Sequence, residues 1–277
     1  PGPSASEPTL ATWADALHET IASRAVRSVD RAVVLDETAS TQDAALRLAG
    51  GRPGLLVVAG RQTAGRGRLG RSWNEGLGLG IAATFVLDAS RLPPQAVSLA
   101  AGIGALEACQ RCLPPAPGGV LYTLGLRWPN DVVTREASPA GPGKKLAGVL
   151  IETRDGLHLV GIGITVLHAP DGSDFPPELA PRATSLRALG SAASRLDALT
   201  HLVVMLDRAL LMPAIALPIA WAPHDVLRGS VRTFEHDGVR VTGRVEAIDP
   251  AGSIVLRTDA GEAVRLPALS TSLVHDA

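Results

Sequence analysis

Lysine and asparagine are nearly missing from this chain. Of its 277 residues, two are lysines (Lys144 and Lys145) and two are asparagines (Asn74 and Asn130); the other 24 of the 26 basic residues are arginines. Where arginine is used almost everywhere, a position that keeps lysine is a candidate for chemistry that a forked guanidinium cannot supply. Cysteine is as scarce. Cys109 and Cys112, spaced C-x-x-C on a predicted helix, have no second pair and no adjacent histidine, and read as structural thiols rather than a zinc or redox site. Aromatic residues make up 3% of the chain, with only Trp73, Phe85 and Trp128 near its most basic loop, a poor stacking platform for single-stranded nucleic acid. Twenty-six basic residues against 27 acidic ones leave a net charge of -1, so no bulk field draws the chain to DNA or anionic lipid. No apolar run approaches the ~20 residues of a membrane span. The start, PGPSASEPTLATW, lacks the basic leader and apolar core of a secretory signal. A soluble, cytoplasmic protein without a membrane partner is expected. Its 46% apolar and 19% charged residues suit one large domain or a large domain with a small one.

Period and punctuation divide the chain into three parts. Residues 1–30 form an extension, with an unstructured lead to about residue 8 and a helix over 10–26 that sets Trp13, Leu17 and Ile21 on one face. Residues 31–228 alternate strands and helices. Strands are predicted at 33–35, 55–59 and 79–87, and helices open at Ser40-Thr41 and after Pro93. An extended stretch over 124–133 is broken by Trp128-Pro129, and a proline-glycine loop over 138–143 leads to a hairpin turning at Asp155-Gly156. Two helices, 195–211 and 214–221, close this part. From 229 to 277 the apolar period becomes two, with turns at Asp237-Gly238, Asp249 to Gly252 and Asp259 to Gly261, which predicts a small separate barrel.

Charge, balanced overall, is concentrated locally. Between Ala44 and Asn74 no acidic residue occurs, while Arg47, Arg52, Arg61, Arg66, Arg68 and Arg71 all fall there. The centre of this stretch, G-R-G-R-L-G over 65–70, formally matches the dinucleotide fingerprint. The glycines at 70, 76, 78 and 80 cannot sustain the helix whose N-terminus a pyrophosphate would need, so a Rossmann reading is set aside. No Walker lysine follows either. The residues describe instead a loop whose backbone amides and guanidinium forks fold over an anion, mobile when empty and ordered by its ligand. Taken alone, the loop leaves a solvated arginine-rich turn equally open.

The loop has company. STQDAA (40–45), GRQTAGRGRLGRSW (60–73), LRWPNDVV (126–133), KLAGVLIE (145–152) and VGIGITV (160–166) resemble, in order and approximate spacing, the motifs of biotin protein ligases, and the alternating tail resembles their small C-terminal barrel of the Src-homology-3 type. The resemblance implies an α/β (α+β) fold. A mixed β-sheet would be flanked by helices, as in class II aminoacyl-tRNA synthetases and biotin synthetases, with the small barrel behind it. Such enzymes join biotin to ATP as biotinyl-5'-AMP and pass biotin to one lysine of a biotin carboxyl carrier protein or domain of a biotin-dependent carboxylase. ATP, biotin and magnesium are the small partners implied.

The resemblance also implies roles for residues. Arg66, Arg68 and Lys145 match positions at the carboxylate and phosphate and are the catalytic cations. Ser40, Thr41, Gln62, Gly65, Gly67 and Gly148 join them around biotin. Arg68, Arg71, Trp73, Asn130 and Thr165 face the nucleotide, Arg71 on the triphosphate side and Trp73 over the ligand or the adenine. Asp131 is open between a metal ligand and a carboxylate that orients an arginine; Ser40 and Thr41 are open between biotin contacts and helix capping. Trp128 reads as a core wedge and Lys144 as a solvated neighbour. One departure stands out: Thr165 occupies the place of the asparagine that usually follows G-I-G-I, which puts two-pronged adenine recognition in doubt. Some relatives carry an N-terminal winged helix; only 39 residues precede Ser40 here, and no DNA binding is expected. The alternatives are a lipoate or octanoate ligase-type acyltransferase of the same fold, whose glycine block differs, and a non-catalytic nucleotide or RNA binder using the arginine loop.

Overall fold

Alternation along single strands explains how the main sheet is covered. In the computed structural model, which describes residues 7–73, 78–115, 124–135, 143–249 and 252–274, strand β2 (Leu55–Gln62) turns Leu56 and Val58 to one face and Leu55 and Val57 to the other, and all four are buried. A strand apolar on both sides needs cover on both sides. Strands β1 (Arg31–Thr38), β3 (Gly80–Asp88), β4 (Leu124–Arg127), β5 (Asp131–Thr134), β6 (Lys145–Arg154) and β7 (Leu157–Thr165) join it in one seven-stranded sheet of order β1-β2-β3-β7-β6-β5-β4. Only β1 and β2 run parallel; the rest of the ladder is antiparallel, so the sheet is mixed as expected.

One face packs on the helices α1 (Trp13–Ser23), α3 (Pro94–Cys112) and α4 (Arg195–Leu210), with Trp13, Leu17, Phe85 and Leu106 fully buried between them. Cys109 and Cys112 lie in this core as free thiols, and burial pushes both thiols up, Cys112 to about 12, which fits inert packing rather than reactivity. The opposite face is covered at one end only. Helix α2 (Thr41–Ala49), ended by Gly50 in the left-handed region (φ 56°), packs Ala44, Ala45 and Ala49 on Leu55, Val57, Val86, Leu157 and Leu159. The rest of that face is left to a cavity.

After α5 (Ala216–Trp221) comes a second, antiparallel sheet of five strands, β8 (Val231–His236), β9 (Val239–Asp249), β10 (Ser253–Arg257), β11 (Ala263–Pro267) and β12 (Thr271–Leu273), in the order β11-β10-β9-β8-β12. Its inner residues Phe234, Val245, Ile254, Leu256 and Leu266 belong to the same apolar core as the main sheet. Trp128, the wedge between β4 and β5, meets Phe234 edge to face at 6.2 Å. The predicted core role of Trp128 therefore includes joining the two sheets.

Two sequence expectations need adjusting. The helix over 10–26 is a 3-10 turn, Leu10–Thr12, followed by the shorter α1. The lead is not loose as far as residue 8: the Glu7 carboxylate accepts from the Arg195 Nε (2.8 Å) and the Arg195 backbone N–H (3.0 Å). Residues 1–6, Asn74, and all of the 138–143 loop except Gly143 lie outside the described residues.

Candidate active site

The floor of the cavity follows from glycines at alternate positions. In β7, Ile162 and Ile164 point into the core, so Gly161 and Gly163 face the other way; Gly163 pairs with Gly148 of β6 and with Ala82 of β3. Apart from the Ala82 methyl no side chain rises from this patch, and flat groups can lie on the backbone. A methyl group at 163 would run into the Trp73 ring, and one at 148 would come within 3.1 Å of the same ring. Trp73 thus finds the partner its polar, glycine-flanked loop lacked in the sequence: its indole lies on the glycine floor, with the Lys145 ammonium 5.2 Å from the ring centroid. Its buried Nε1 has no hydrogen-bond partner among the described residues.

Beside the floor runs a polar chain. Thr84 Oγ1 donates to Thr41 Oγ1 (2.9 Å), and the Thr41 hydroxyl (2.9 Å) and backbone N–H (2.7 Å) donate to Gln62 Oε1. Gln62 thereby satisfies the first amide of α2. Ser40, the N-cap residue, makes no side-chain capping bond, so capping does not explain it; it is buried and lines the cavity.

The next wall is ionic and buried. Asp131 sits between Lys145 (Nζ to Oδ1, 2.6 Å) and Arg127 (Nη2 to Oδ2, 2.8 Å), and Arg127 Nη1 also donates to the Gly143 C=O (3.1 Å). Burial pushes the Asp131 carboxyl up, but the charges of Lys145 and Arg127, with their hydrogen bonds, outweigh it and hold the pKa at about 2. Asp131 therefore fixes the one lysine of the cavity in place. Asn130 commits its Nδ2 to the Val149 C=O (2.6 Å) and its own C=O to the Val149 N–H (2.9 Å), which ties the W-P-N-D segment to β6. Lys144 is exposed, as read from the sequence.

Over the cavity lies the arginine loop, a narrow hairpin. The Trp73 N–H donates to the Gly65 C=O (2.8 Å), the Gly67 N–H donates to the Arg71 C=O (2.6 Å), and Leu69 and Gly70 turn its tip at φ 55° and 72°. Gly65 is the one predicted site residue that does not line the cavity. A Cβ there would press to 2.6 Å of the Trp73 carbonyl oxygen, so its part is to let the two arms meet. The two central arginines are tied differently. Arg66 makes a forked bond to Asp43 (2.6 and 2.8 Å) and reaches Glu152 at 3.5 Å. The hydrogen bond from Arg66 holds the Asp43 carboxyl below its usual range. Arg68 leans the other way and donates from Nη2 to the Ala268 and Thr271 carbonyls next to and in β12; burial lowers its pKa. A loop expected to be unattached without ligand is held at both arginines.

The cavity, open to solvent on one side, has a volume of about 550 Å³. It is lined by Ser40, Thr41, Gln62, Arg66, Gly67, Arg68, Arg71, Trp73, Asn130, Asp131, Lys145, Gly148 and Thr165, so every predicted site residue but Gly65 meets there. Sequence reasoning missed Thr84, which supports Thr41 from behind, and, in the lining itself, Arg127, the segment that supplies Phe175, Leu179 and Arg182, and the edge of the second sheet with Glu235 and Ser272. Arg127 alone had a signal, standing directly before W-P-N-D; the others carry no motif. Six cations (Arg66, Arg68, Arg71, Arg127, Lys145, Arg182) face two carboxylates (Asp131, Glu235) across this volume. Such a surplus selects a ligand with several negative charges.

Comparison with known proteins agrees with the motifs. Residues 32–167 match the model of the biotin/lipoate A/B protein ligase family. The chain is 32% identical over 243 residues to the biotin-(acetyl-CoA-carboxylase) ligase of Paracoccus denitrificans, covering 83% of this chain and 96% of that protein. To the protein of the same name from Mycobacterium tuberculosis it is 38% identical over 168 residues, but the match spans only 56% of that protein's length. Among solved structures, the biotin protein ligase of Aquifex aeolicus in complex with biotin and ATP superposes with a TM-score of 0.71 at 25% identity, covering 88% of this chain and 99% of that one. On its motifs, its sheet and these likenesses, the chain belongs to the biotin/lipoate A/B protein ligase family.

Proposed function

We propose that the chain is a biotin protein ligase. It activates biotin with ATP and transfers it to a lysine of a biotin carboxyl carrier protein or domain. The observation that carries this reading is the pairing of a glycine floor, flat enough to take the Trp73 indole and suited to a planar ureido ring beside it, with six cations set against two carboxylates on the walls. In the first half-reaction a biotin carboxylate oxygen bonds to the α-phosphorus of ATP. The bond from that phosphorus to the bridging oxygen breaks, and the electron pair leaves with pyrophosphate. Two like unit charges at ~4 Å repel by about 4 kcal/mol at an effective permittivity near 20, so cations must be in place first. Lys145 and Arg66 are assigned to the carboxylate, Arg68, Arg71 and Arg127 to the phosphates. In the second half-reaction a carrier lysine amine attacks the acyl carbon and AMP leaves. The work is positional and electrostatic and needs no nucleophile from the protein.

Ser40, Thr41, Gln62, Gly67 and Gly148 are read as the biotin pocket, with Gly65 acting through the shape of the loop, and Trp73, Asn130 and Thr165 as the nucleotide side. The carboxylate pair Asp43 and Glu152 on Arg66 stands where an incoming carboxylate would compete for the same fork. Magnesium enters as part of the nucleotide substrate. Asp131 is assigned to positioning Lys145 and Arg127, since both its oxygens are already engaged. The domain division at 1–30, 31–228 and 229–277 is retained, supported by the switch from the mixed sheet to the antiparallel one after α5. Reading the second sheet as a small barrel of the Src-homology-3 type is supported by its register shift at Val255/Leu256, where the extra residue Glu246 bends β9; likewise the main sheet is read as class II synthetase-like. The reaction is assigned to the cytoplasm, as expected from the sequence.

The test is incubation with biotin, labelled ATP and magnesium. Pyrophosphate release that requires biotin and ignores lipoate supports the reading; release with lipoate alone overturns it in favour of the lipoate branch of the family.

A further inference from the structure

Arg182 is the cavity cation that no motif announced and, among the described residues, no carboxylate holds. It sits in a segment stitched across the ends of β6 and β7. The Lys145 N–H donates to the Arg182 C=O (2.7 Å), the Thr184 N–H donates to the Lys145 C=O (2.9 Å), and Ala183 bridges Lys145 in parallel register. One step on, the Leu186 N–H donates to the Thr165 C=O (3.0 Å). The backbone of Arg182 is thus one hydrogen bond from the strand residue that carries the cavity's lysine. Its exposed guanidinium rests on its own turn, with Nε (3.2 Å) and Nη2 (2.8 Å) donating to the Glu178 C=O. That acceptor is neutral. Arg66, Arg127 and Lys145 each spend charge on a carboxylate, whereas Arg182 keeps its full charge and its Nη1 donors for an arriving anion. Exchanging a carbonyl for a phosphate oxygen replaces a neutral acceptor with a charged one, at which a guanidinium fork binds more strongly.

We propose that Arg182 is a phosphate-binding residue at the rim of the site: it receives the polyphosphate of the nucleotide and holds pyrophosphate as the bond to the α-phosphorus breaks. The inference rests on the adenylate-forming reading given above and extends it to the leaving group. Negative charge grows on the bridging oxygen as that bond opens, and a cation fixed beside the Lys145 strand meets it there.

The experiment compares wild type with Arg182→Gln, whose amide can still donate to the Glu178 C=O but carries no charge. Titration calorimetry with magnesium and inorganic pyrophosphate, without biotin or nucleotide, should show pyrophosphate bound roughly fivefold to tenfold more weakly by the variant. Arg182→Lys should recover part of the loss, and Arg187→Gln, on an exposed residue outside the cavity, should match wild type. In biotin-dependent ATP-pyrophosphate exchange, KM for ATP and for pyrophosphate should rise by a similar factor while KM for biotin stays put. Equal pyrophosphate affinity in wild type and Arg182→Gln, or no binding by wild type, overturns the assignment. So does an equal rise in KM for biotin, which would mark a disturbed Lys145 strand. Weaker pyrophosphate binding with no biotin-dependent exchange in wild type would sink the biotin reading and leave Arg182 a phosphate ligand; exchange that ignores the substitution would do the reverse.

Discussion

The cations of this cavity fall into two regions built on opposite principles. Arg127 and Lys145 stand on strands and flank one carboxylate: Arg127 is 4% exposed, Asp131 15% and Lys145 32% at their side chains. Arg66, Arg68 and Arg71 stand on a hairpin loop, where Arg66 pairs with the exposed Asp43 and the half-buried Glu152 and Arg68 borrows backbone carbonyls at and just before β12. The buried Arg127 cannot be moved from this carboxylate without leaving a charge unpaired in a low-dielectric site, and Lys145, half-buried, is held to the same carboxylate. Partly exposed pairs cost little to exchange. The contrast separates a fixed cationic wall, which holds a position before substrate arrives, from an exchangeable one, which can trade its present partners for a ligand's oxygens.

Removing the charge at the centre of the fixed wall should have the largest effect. Asp131→Asn leaves Arg127 buried without a counter-charge and should cost about 3–5 kcal/mol of stability, read by urea denaturation, with activity falling along with it. A loss under ~1 kcal/mol would mean that the wall is not the rigid element described. Acid should reproduce part of this in the wild type. The folded Asp131 carboxyl lies at about 2 against an ordinary 3.8. Its contribution is therefore fully present above about pH 4 and is lost as the pH falls towards 2, roughly 2 kcal/mol in all. Denaturation curves of wild type and Asp131→Asn taken from pH 5 to pH 2 should converge; parallel curves would break the comparison.

Substitutions in the loop should leave stability alone and change chemistry. Arg68→Gly removes the tie to the Ala268 and Thr271 carbonyls. It should let biotinyl-adenylate escape, raising biotin labelling of bystander lysines about tenfold with little change in Tm. A variant that stays active and selective for its carrier would remove Arg68 from loop closure. The smallest effect is expected for Asp43→Asn. An exposed ion pair is worth under about 1 kcal/mol, so Tm should hold while tryptic cleavage at Arg66 quickens. Unchanged cleavage would show that Asp43 does not hold the loop.

Much of this was legible before any coordinates. The G-R-G-R-L-G stretch cannot be a Rossmann turn because its glycines cannot sustain a helix, and among the described residues no α-helix follows before β3. Trp73 was legible as a residue with little in its own loop to bury against but not as one resting on Gly148 and Gly163 in the cavity, because spacing within a strand gives the face a residue takes and says nothing about which loop lies over it. Arg127 hid among 24 arginines. Its burial beside Asp131 depends on a pairing between β4 and β5 that local pattern does not encode. Arg182 is further from view, in a segment whose hydrogen bonds run to strands about twenty and forty residues earlier. The second sheet was visible as alternating strands; its contribution of a wall, through Glu235, Ser272 and the carbonyls that hold Arg68, was not.

The sequence by itself determined the period of the strands, the punctuation of the helices, the family motifs and the placement of lysine at position 145, because each of these is written within a few residues of chain. Tertiary structure alone decided which cations are immobilised and which can be exchanged. That choice depends on burial and on partners brought together from distant segments, and the worth of a charge pair is set by the dielectric around it rather than by the residues that form it.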